Sequence, residues 1–425
     1  MKPGYKQTEV GVIPEDWEVG SLKQAFPHLD AGVSVNSDDS ESSDYYILKT
    51  SAVRNGRVNI KEAKPVIRSD YARLKCPVKK GSIIISRMNT PAMVGECGFS
   101  TIDAPNTFLP DRLWQIEPSS PDYDFQWLNY LLNTEKYSAA IRATATGTSN
   151  SMKNIAKERL LEISIPKPPC PEQQRIAEAL SDMDELISSL EKLIEKKKAI
   201  KKGAMQELLT GKRRLPGFSG EWTVRTISSL GKFISGNGFP LEFQGHQVGK
   251  YPFYKVSDFN NIGNELYLKR ANNYISSEIA EKLKCSIIPK DSIVFAKIGA
   301  AIFLERKKLT TVECCIDNNT MSFQAYDSIS PHFLWYIFQT VRFGDLVEVT
   351  ALPSLSGNAI GAISKPFPPT KREQEEIASV LLDLDHEIAD ISKKLDKACH
   401  IRLGMMQQLL TGKLRLNVEI GDECR

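Results

Sequence analysis

Two pairs of cations stand at matching places in the two halves of this 425-residue chain. Lys49 follows Ile47-Leu48, and Lys255 follows Phe253-Tyr254. Arg87 ends the run Gly81-Ser82-Ile83-Ile84-Ile85-Ser86-Arg87, and Lys297 ends Asp291-Ser292-Ile293-Val294-Phe295-Ala296-Lys297. Polar residues surround them: Ser51, Arg54, Arg57 and Asn89 in the first half, Ser257 and Asn260 in the second. Two further polar loops, Thr144–Lys153 and Pro353–Asn358, add Thr148, Asn150, Lys153, Ser354 and Asn358. Lys and Arg suit phosphates and guanine edges, Asn suits adenine, and Ser and Thr suit either. A solvated loop is the commoner fate of any one such residue. A charge kept in both halves while its neighbours differ points to a shared task, such as gripping a phosphate.

Bond-making chemistry has little support. Gly211-Lys212 lacks the upstream glycine and the following Ser or Thr of a phosphate-binding loop. No Gly-x-Ser-x-Gly elbow, no zinc spacing and no Asn-Pro-Pro-aromatic segment is present. Asp291, Glu305 and Lys307 have the look of a magnesium nuclease site, but such spacing arises easily by chance. Asp291 also aligns with Gly81 at a strand-opening turn, which favours a structural role. No catalytic residue, no metal site and no cofactor of its own is expected for this chain. The eight cysteines and five histidines do not cluster, as in a protein with reduced thiols. Net charge is only +3, so any nucleic-acid surface is local. No signal peptide or membrane span is legible, and a cytoplasmic location with no membrane partner is expected.

The elements that position these residues are announced by an internal repeat. Glu172–Leu215 aligns with Glu373–Leu416 without a gap, 201 residues apart, with 21 of 44 positions identical. Apolar residues recur at heptad spacing in both copies. They are Ile176, Leu180, Met183, Ile187, Leu190 and Ile194, then Ile377, Leu381, Leu384, Ile388, Ile391 and Leu395. Prolines precede each helix and Thr-Gly follows it. Each helix begins acidic and ends basic: 172–191 carries −5 and 192–214 carries +7, while 373–391 carries −7 and 393–415 carries +5. Parallel pairing is then repulsive and antiparallel pairing attractive, so the two helices are expected to form an antiparallel coiled coil. Lys197, Lys201 and Arg402 fall on its seam, where the pair is expected to splay or to bind a third chain.

The segments 12–167 and 217–365 read as mixed α/β, with buried strands in the matching runs 47–51 and 253–257 and in 81–87 and 291–297, followed by amphipathic helices at 125–128 and 333–336. The expected organisation is a globular domain over 1–169, a helix over 170–211 and a linker over 212–220. A second globular domain over 221–370, a helix over 371–412 and a tail over 413–425 complete it. Two variants of one scaffold, with different loops, suit two readers of two targets in a pseudo-two-fold molecule.

Together these features resemble the specificity subunits of type I restriction-modification systems. The carriers are Ile165-Pro166-Lys167-Pro168-Pro169-x-x-Glu172-Gln173-x-x-Ile176-Ala177, its repeat from Pro368 to Ala378, and the exits Leu208–Lys212 and Leu409–Lys413. Gly81–Pro91 and Phe295–Gly299 look like target-recognition segments. The resemblance implies that each globular domain reads one half of a bipartite site in double-stranded DNA and that the helices set the spacer. It implies two modification subunits using S-adenosylmethionine. It also implies two restriction subunits using ATP and magnesium. A type IIB-like fused system, an orphan specificity subunit and a protein-only coiled-coil scaffold are the alternatives.

Overall fold

The computed structural model describes residues 3–40, 42–147, 152–347 and 352–416. It divides into two compact units, Met1–Glu191 with Lys393–Arg425, and Lys192–Ser392. Among the described residues all cysteines are free, and no helix is long and apolar enough to cross a membrane.

The first unit is built on β1 (Tyr46–Leu48), β2 (Ile83–Ser86), β3 (Ala104–Phe108) and β4 (Leu113–Ile116), followed by α1 (Phe125–Leu132) and the long helix α2 (Cys170–Leu208). The run Ile83-Ile84-Ile85 is a central strand because β-branched residues fill both of its faces; every residue of β2 is buried. It pairs antiparallel with β4, Ser86 opposite Leu113, in a sheet of six strands. β1 runs parallel to β3 in a separate four-stranded sheet.

The second unit repeats this plan with β5 (Tyr251–Tyr254), β6 (Ile293–Ala296), β7 (Cys315–Ile316), β8 (Thr320–Ala325), α3 (Pro331–Gln339) and the long helix α4 (Lys371–Leu409). β6 pairs antiparallel with β8, and β5 runs parallel to β7. α3 and its counterpart α1 are each buried along six consecutive residues, Phe333 to Phe338 and Trp127 to Leu132, so the core wraps most of each helix.

Each unit closes on the helices in the same way. Trp17 and Trp222 donate their indole N–H groups to Glu172 and Glu373, at 2.9 and 3.3 Å. The same carboxylates receive Arg415 and Arg214, each with its Nε at 2.6 Å. Gln173 and Gln374 accept the backbone N–H of the residues that cap α1 and α3, Asp124 and Ser330. The recurrent Glu-Gln pair is therefore a fastening: the acid holds a tryptophan and an arginine, the amide holds a helix cap. The exits are fastened too. Gly211 and Gly412 have φ of 72° and 68°, and a Cβ at Gly412 would lie 2.6 Å from Pro14.

Within each unit the two long helices run antiparallel. In the first, Asp184 meets Arg402 and Glu172 meets Arg415. In the second, Lys197 meets Glu387 at 2.6 Å, Lys201 meets Asp385 at 2.5 Å and Arg214 meets Glu373. The basic seam positions thus neither splay nor wait for a third chain: Lys197, Lys201 and Arg402 find acids on the facing helix. Tyr130 and Tyr336 donate to the same aspartates, Asp184 at 3.0 Å and Asp385 at 2.6 Å. Burial, and then the neighbouring carboxylate, push both phenols well above their ordinary range.

The heptad residues do two jobs. Ile176 and Leu180 join Trp17 and Trp127 in the first core, with Met406, Leu409 and Leu410 from α4 and the residue after it. Ile377 and Leu381 join Phe333 and Phe367 in the second, with Leu208 and Leu209. Ile187 and Ile194 are buried, while Met183, Leu190, Leu384, Ile388, Ile391 and Leu395 are half-buried.

Candidate nucleic-acid interface

In the first unit the parallel pairing of β1 and β3 makes Lys49 leave its strand at the same end as Leu109. The chain then turns through Pro110, Asp111 and Arg112 into β4. Arg87, leaving β2, donates its backbone N–H to the carbonyl of Arg112 at 3.0 Å. Lys49 and Arg87 therefore bracket one turn, Pro110–Arg112. In the second unit β5 and β7 run parallel, and Asp317 N–H donates to the carbonyl of Tyr254, next to Lys255. Lys297 donates its backbone N–H to the carbonyl of Asn319 at 2.8 Å. Lys255 and Lys297 bracket the corresponding turn, Asp317–Asn319.

A third strand joins each bracket. The carbonyl of Arg87 accepts Ile155 N–H at 2.9 Å, and that of Lys297 accepts Leu355 N–H at 2.8 Å. Asn89 then lies opposite Lys153, and Ile298 opposite Ser354. The polar loops named from the sequence thus meet the cations by backbone pairing in both units. Thr148 and Asn150 lie outside the described residues.

Sequence reasoning missed a glycine beneath each turn. A Cβ at Gly32 would sit 1.5 Å from the carbonyl oxygen of Leu109, and one at Gly236 would sit 1.9 Å from that of Asp317. Only glycine lets the preceding strand pass so close. No alignment signal exposed the pair, because the residues around them differ.

The cationic groups differ in freedom. Arg87 lies over the Trp114 ring at 5.3 Å, and its Nε is buried with no partner among the described residues. Lys255 donates to Gln244 at 3.0 Å. Lys49 is exposed and Lys297 half-buried; no partner for either ammonium is found among the described residues. Asp317 is buried beside Lys255, and burial holds its carboxyl above the ordinary range.

Other candidates stand away from the brackets or have work within the fold. Ser51 donates to Glu62 at 2.8 Å, and the Asn89 amide donates to Ser86 at 3.1 Å. Arg54 sits opposite Arg57 across a strand pair, and Arg57 reaches toward Asp184 on the long helix at 3.8 Å. Arg306 donates to Asn260. Ser257 is exposed, as is Asn358 in the short helix Gly357–Gly361.

The nuclease-like trio is not assembled as a metal site. Asp291 occupies a left-handed turn at φ 61°, donating its N–H to Thr310 as Gly81, at φ 79°, does to Ser100. Glu305 accepts Lys307 Nζ at 2.6 Å and the N–H groups of Phe343 and Gly344 at 3.0 and 2.8 Å. Lys307 is buried and also donates to the carbonyl of Val341. Among the described residues no cluster of acids, histidines and cysteines could hold a metal ion.

Known proteins match this arrangement over nearly all of its length. The family described as "Type I restriction modification DNA specificity domain" matches residues 14–202 and again 219–398. The chain is 23% identical over 433 residues to the putative type I restriction enzyme MjaX specificity subunit of Methanocaldococcus jannaschii, covering 97% of each. It is 32% identical over 217 residues to the MjaVIII specificity subunit of the same organism, covering 50% of this chain and 49% of that one. Among solved structures, the type I restriction-modification S subunit from M. genitalium superimposes with a TM-score of 0.60 at 18% identity, over 98% of this chain and 100% of that one. A chain from a study of type I complex assembly and conformational transition gives 0.53 at 15% identity, over 95% and 99%. At those identities the structural likeness speaks for the fold. With the specificity domain matched twice, in the two halves that fold alike, this chain belongs to the family of type I restriction-modification specificity subunits.

Proposed function

We propose that this chain is the DNA-reading and spacing component of a type I restriction-modification complex and makes or breaks no covalent bond itself. The globular parts, 1–169 and 221–370, act as target-recognition domains, each reading one half of a bipartite site in double-stranded DNA. The observation that supports this is the duplicated bracket: Lys49 with Arg87, and Lys255 with Lys297, each about one turn between strands. Cations so placed suit the phosphates on either side of a short reading loop, and the polar residues between them suit base edges. The two long helices set the spacer and dock two modification subunits; two restriction subunits complete the assembly. In this reading S-adenosylmethionine, ATP and magnesium are bound by those partners.

The test uses the chain assembled with its modification subunits. Arg87→Ala and Lys297→Ala are each expected to weaken DNA binding and to lower the slope of log affinity against log salt by about one, as for one lost phosphate contact. Unchanged affinity and salt slope in both variants would remove these loops from the interface.

A further inference from the structure

Each bracketed turn ends on a polar residue whose side chain takes no part in the fold's backbone pairing: Arg112 in the first unit and Asn319 in the second. Arg112 and Asn319 are equivalent: each gives its carbonyl to the bracketing cation's backbone N–H and each precedes the first residue of the sheet strand, Leu113 or Thr320. Both are exposed, each between two cations suited to phosphate. Their chemistry differs sharply. The Arg112 guanidinium has no partner among the described residues. The Asn319 amide is oriented: its Nδ2 donates to Asp317 Oδ2 at 3.2 Å, and the Asp317 side chain is buried.

Resting on the DNA-reading function proposed above, we infer that Arg112 and Asn319 are the base-reading residues of the two units, Arg112 for a guanine and Asn319 for an adenine. A free guanidinium offers paired donors to the O6 and N7 acceptors of guanine. An amide reads adenine only if its oxygen meets the N6 amino group while its second N–H meets N7. Asp317 enforces that facing. A carboxylate takes an N–H and repels the amide oxygen, so Nδ2 is held toward Asp317, one N–H remains free and Oδ1 turns outward. Asp317 itself has too little exposure to touch a base, so it is a positioning residue. The first unit has Pro110 at that point, and an arginine needs no such orientation because all its groups donate.

The experiment has two stages. Methylated adenines are mapped genome-wide in cells carrying this chain and its modification subunits. Binding by the purified complex is then measured on duplexes of the mapped site with each base pair replaced in turn. Arg112→Ala is expected to erase the preference at a single guanine of one half-site, and Asn319→Ala that at a single adenine of the other. The lost discrimination should be between about fivefold and a hundredfold, the worth of one bidentate base contact. Asp317→Asn should relax the same adenine position and leave the half read by Arg112 intact, a pattern that general destabilisation does not produce. Arg112→Lys and Asn319→Gln are measured alongside and decide the matter if the alanine variants do not assemble. Unchanged preferences, or an equal loss at every position, would overturn the inference. A wild-type complex that yields no bipartite methylated site would instead overturn the function on which it rests.

Discussion

Lys307 is an ammonium sealed within the second unit, and its neighbours explain how it is tolerated. Burial pushes its pKa down, while Glu305 at 2.6 Å, the carbonyl of Val341 and the face of Phe343 at 4.2 Å stabilise the charge. Removing the acid leaves that charge uncompensated. Because Glu305 is only half-buried, Glu305→Gln should cost about 1–2 kcal/mol of stability, less than breaking a fully buried pair from one side. Lys307→Met, which removes the charge and keeps the volume, should cost less. Urea unfolding of the two variants checks the order; equal losses would mean that the charge is not what matters. The structural role that the sequence favours for Asp291, a strand-opening turn matching that of Gly81, is the one it has. Asp291, Glu305 and Lys307 are spaced like metal and base ligands, yet spacing carries no direction. The left-handed backbone at Asp291 and Glu305 serves one turn before Thr310 and another against Phe343 and Gly344. Arg57, one of the expected DNA contacts, is exposed and reaches toward the Asp184 carboxylate of the long helix at 3.8 Å.

Secondary elements were more legible than side-chain destinations. Strands β2 and β6, the caps of the long helices and the antiparallel sense of their pairing all follow from local pattern and charge. The identity of the acid that meets each basic seam residue does not, because register between distant segments is a tertiary fact. Nor does the burial of six consecutive residues of α3, because what packs over the rest of a helix is also a tertiary fact. That helix supplies a pH test. Burial holds His332 below its ordinary value of 6.5. The unfolded chain then takes up a proton first as pH falls, so the stabilisation is full above about 6.5 and is lost as pH drops through the lower folded value. Unfolding of the second unit should become easier on acidification across that window. His332→Leu should flatten this limb; an unaltered pH profile would exclude the histidine as its source.

For the whole molecule, every helix-to-helix clamp described here lies inside one unit. Seven residues inserted after Glu191 and seven after Ser392 would therefore leave all of them intact. If the helices set the spacer, the tolerated gap between half-sites should grow by about three base pairs, from a rise of ~1.5 Å per helical residue against ~3.4 Å per base pair. Methylation mapping reads the new spacer directly, and an unchanged gap would refute that role for the helices. The repeat was plain in the sequence at 201-residue spacing, and its Glu-Gln pairs and arginines fasten each core in the same way. The reading loops diverge, and only backbone pairing reveals that Arg112 and Asn319 correspond.

One asymmetry between the units has a consequence for biosynthesis. The second is continuous in the chain, Lys192–Ser392, whereas the first needs Lys393–Leu416 to finish its core and to neutralise Glu172. On the ribosome the second unit has all its residues before the first does, although the first begins to emerge earlier. Until Met406, Leu409 and Arg415 arrive, the first core lacks part of its apolar cover and Glu172 has the Trp17 indole but no cation. A nascent chain in that condition is a substrate for chaperones and proteases. The last turns of α4 are thus the closing step of maturation, and damage there should be read first in the yield of intact protein rather than in the choice of DNA sequence.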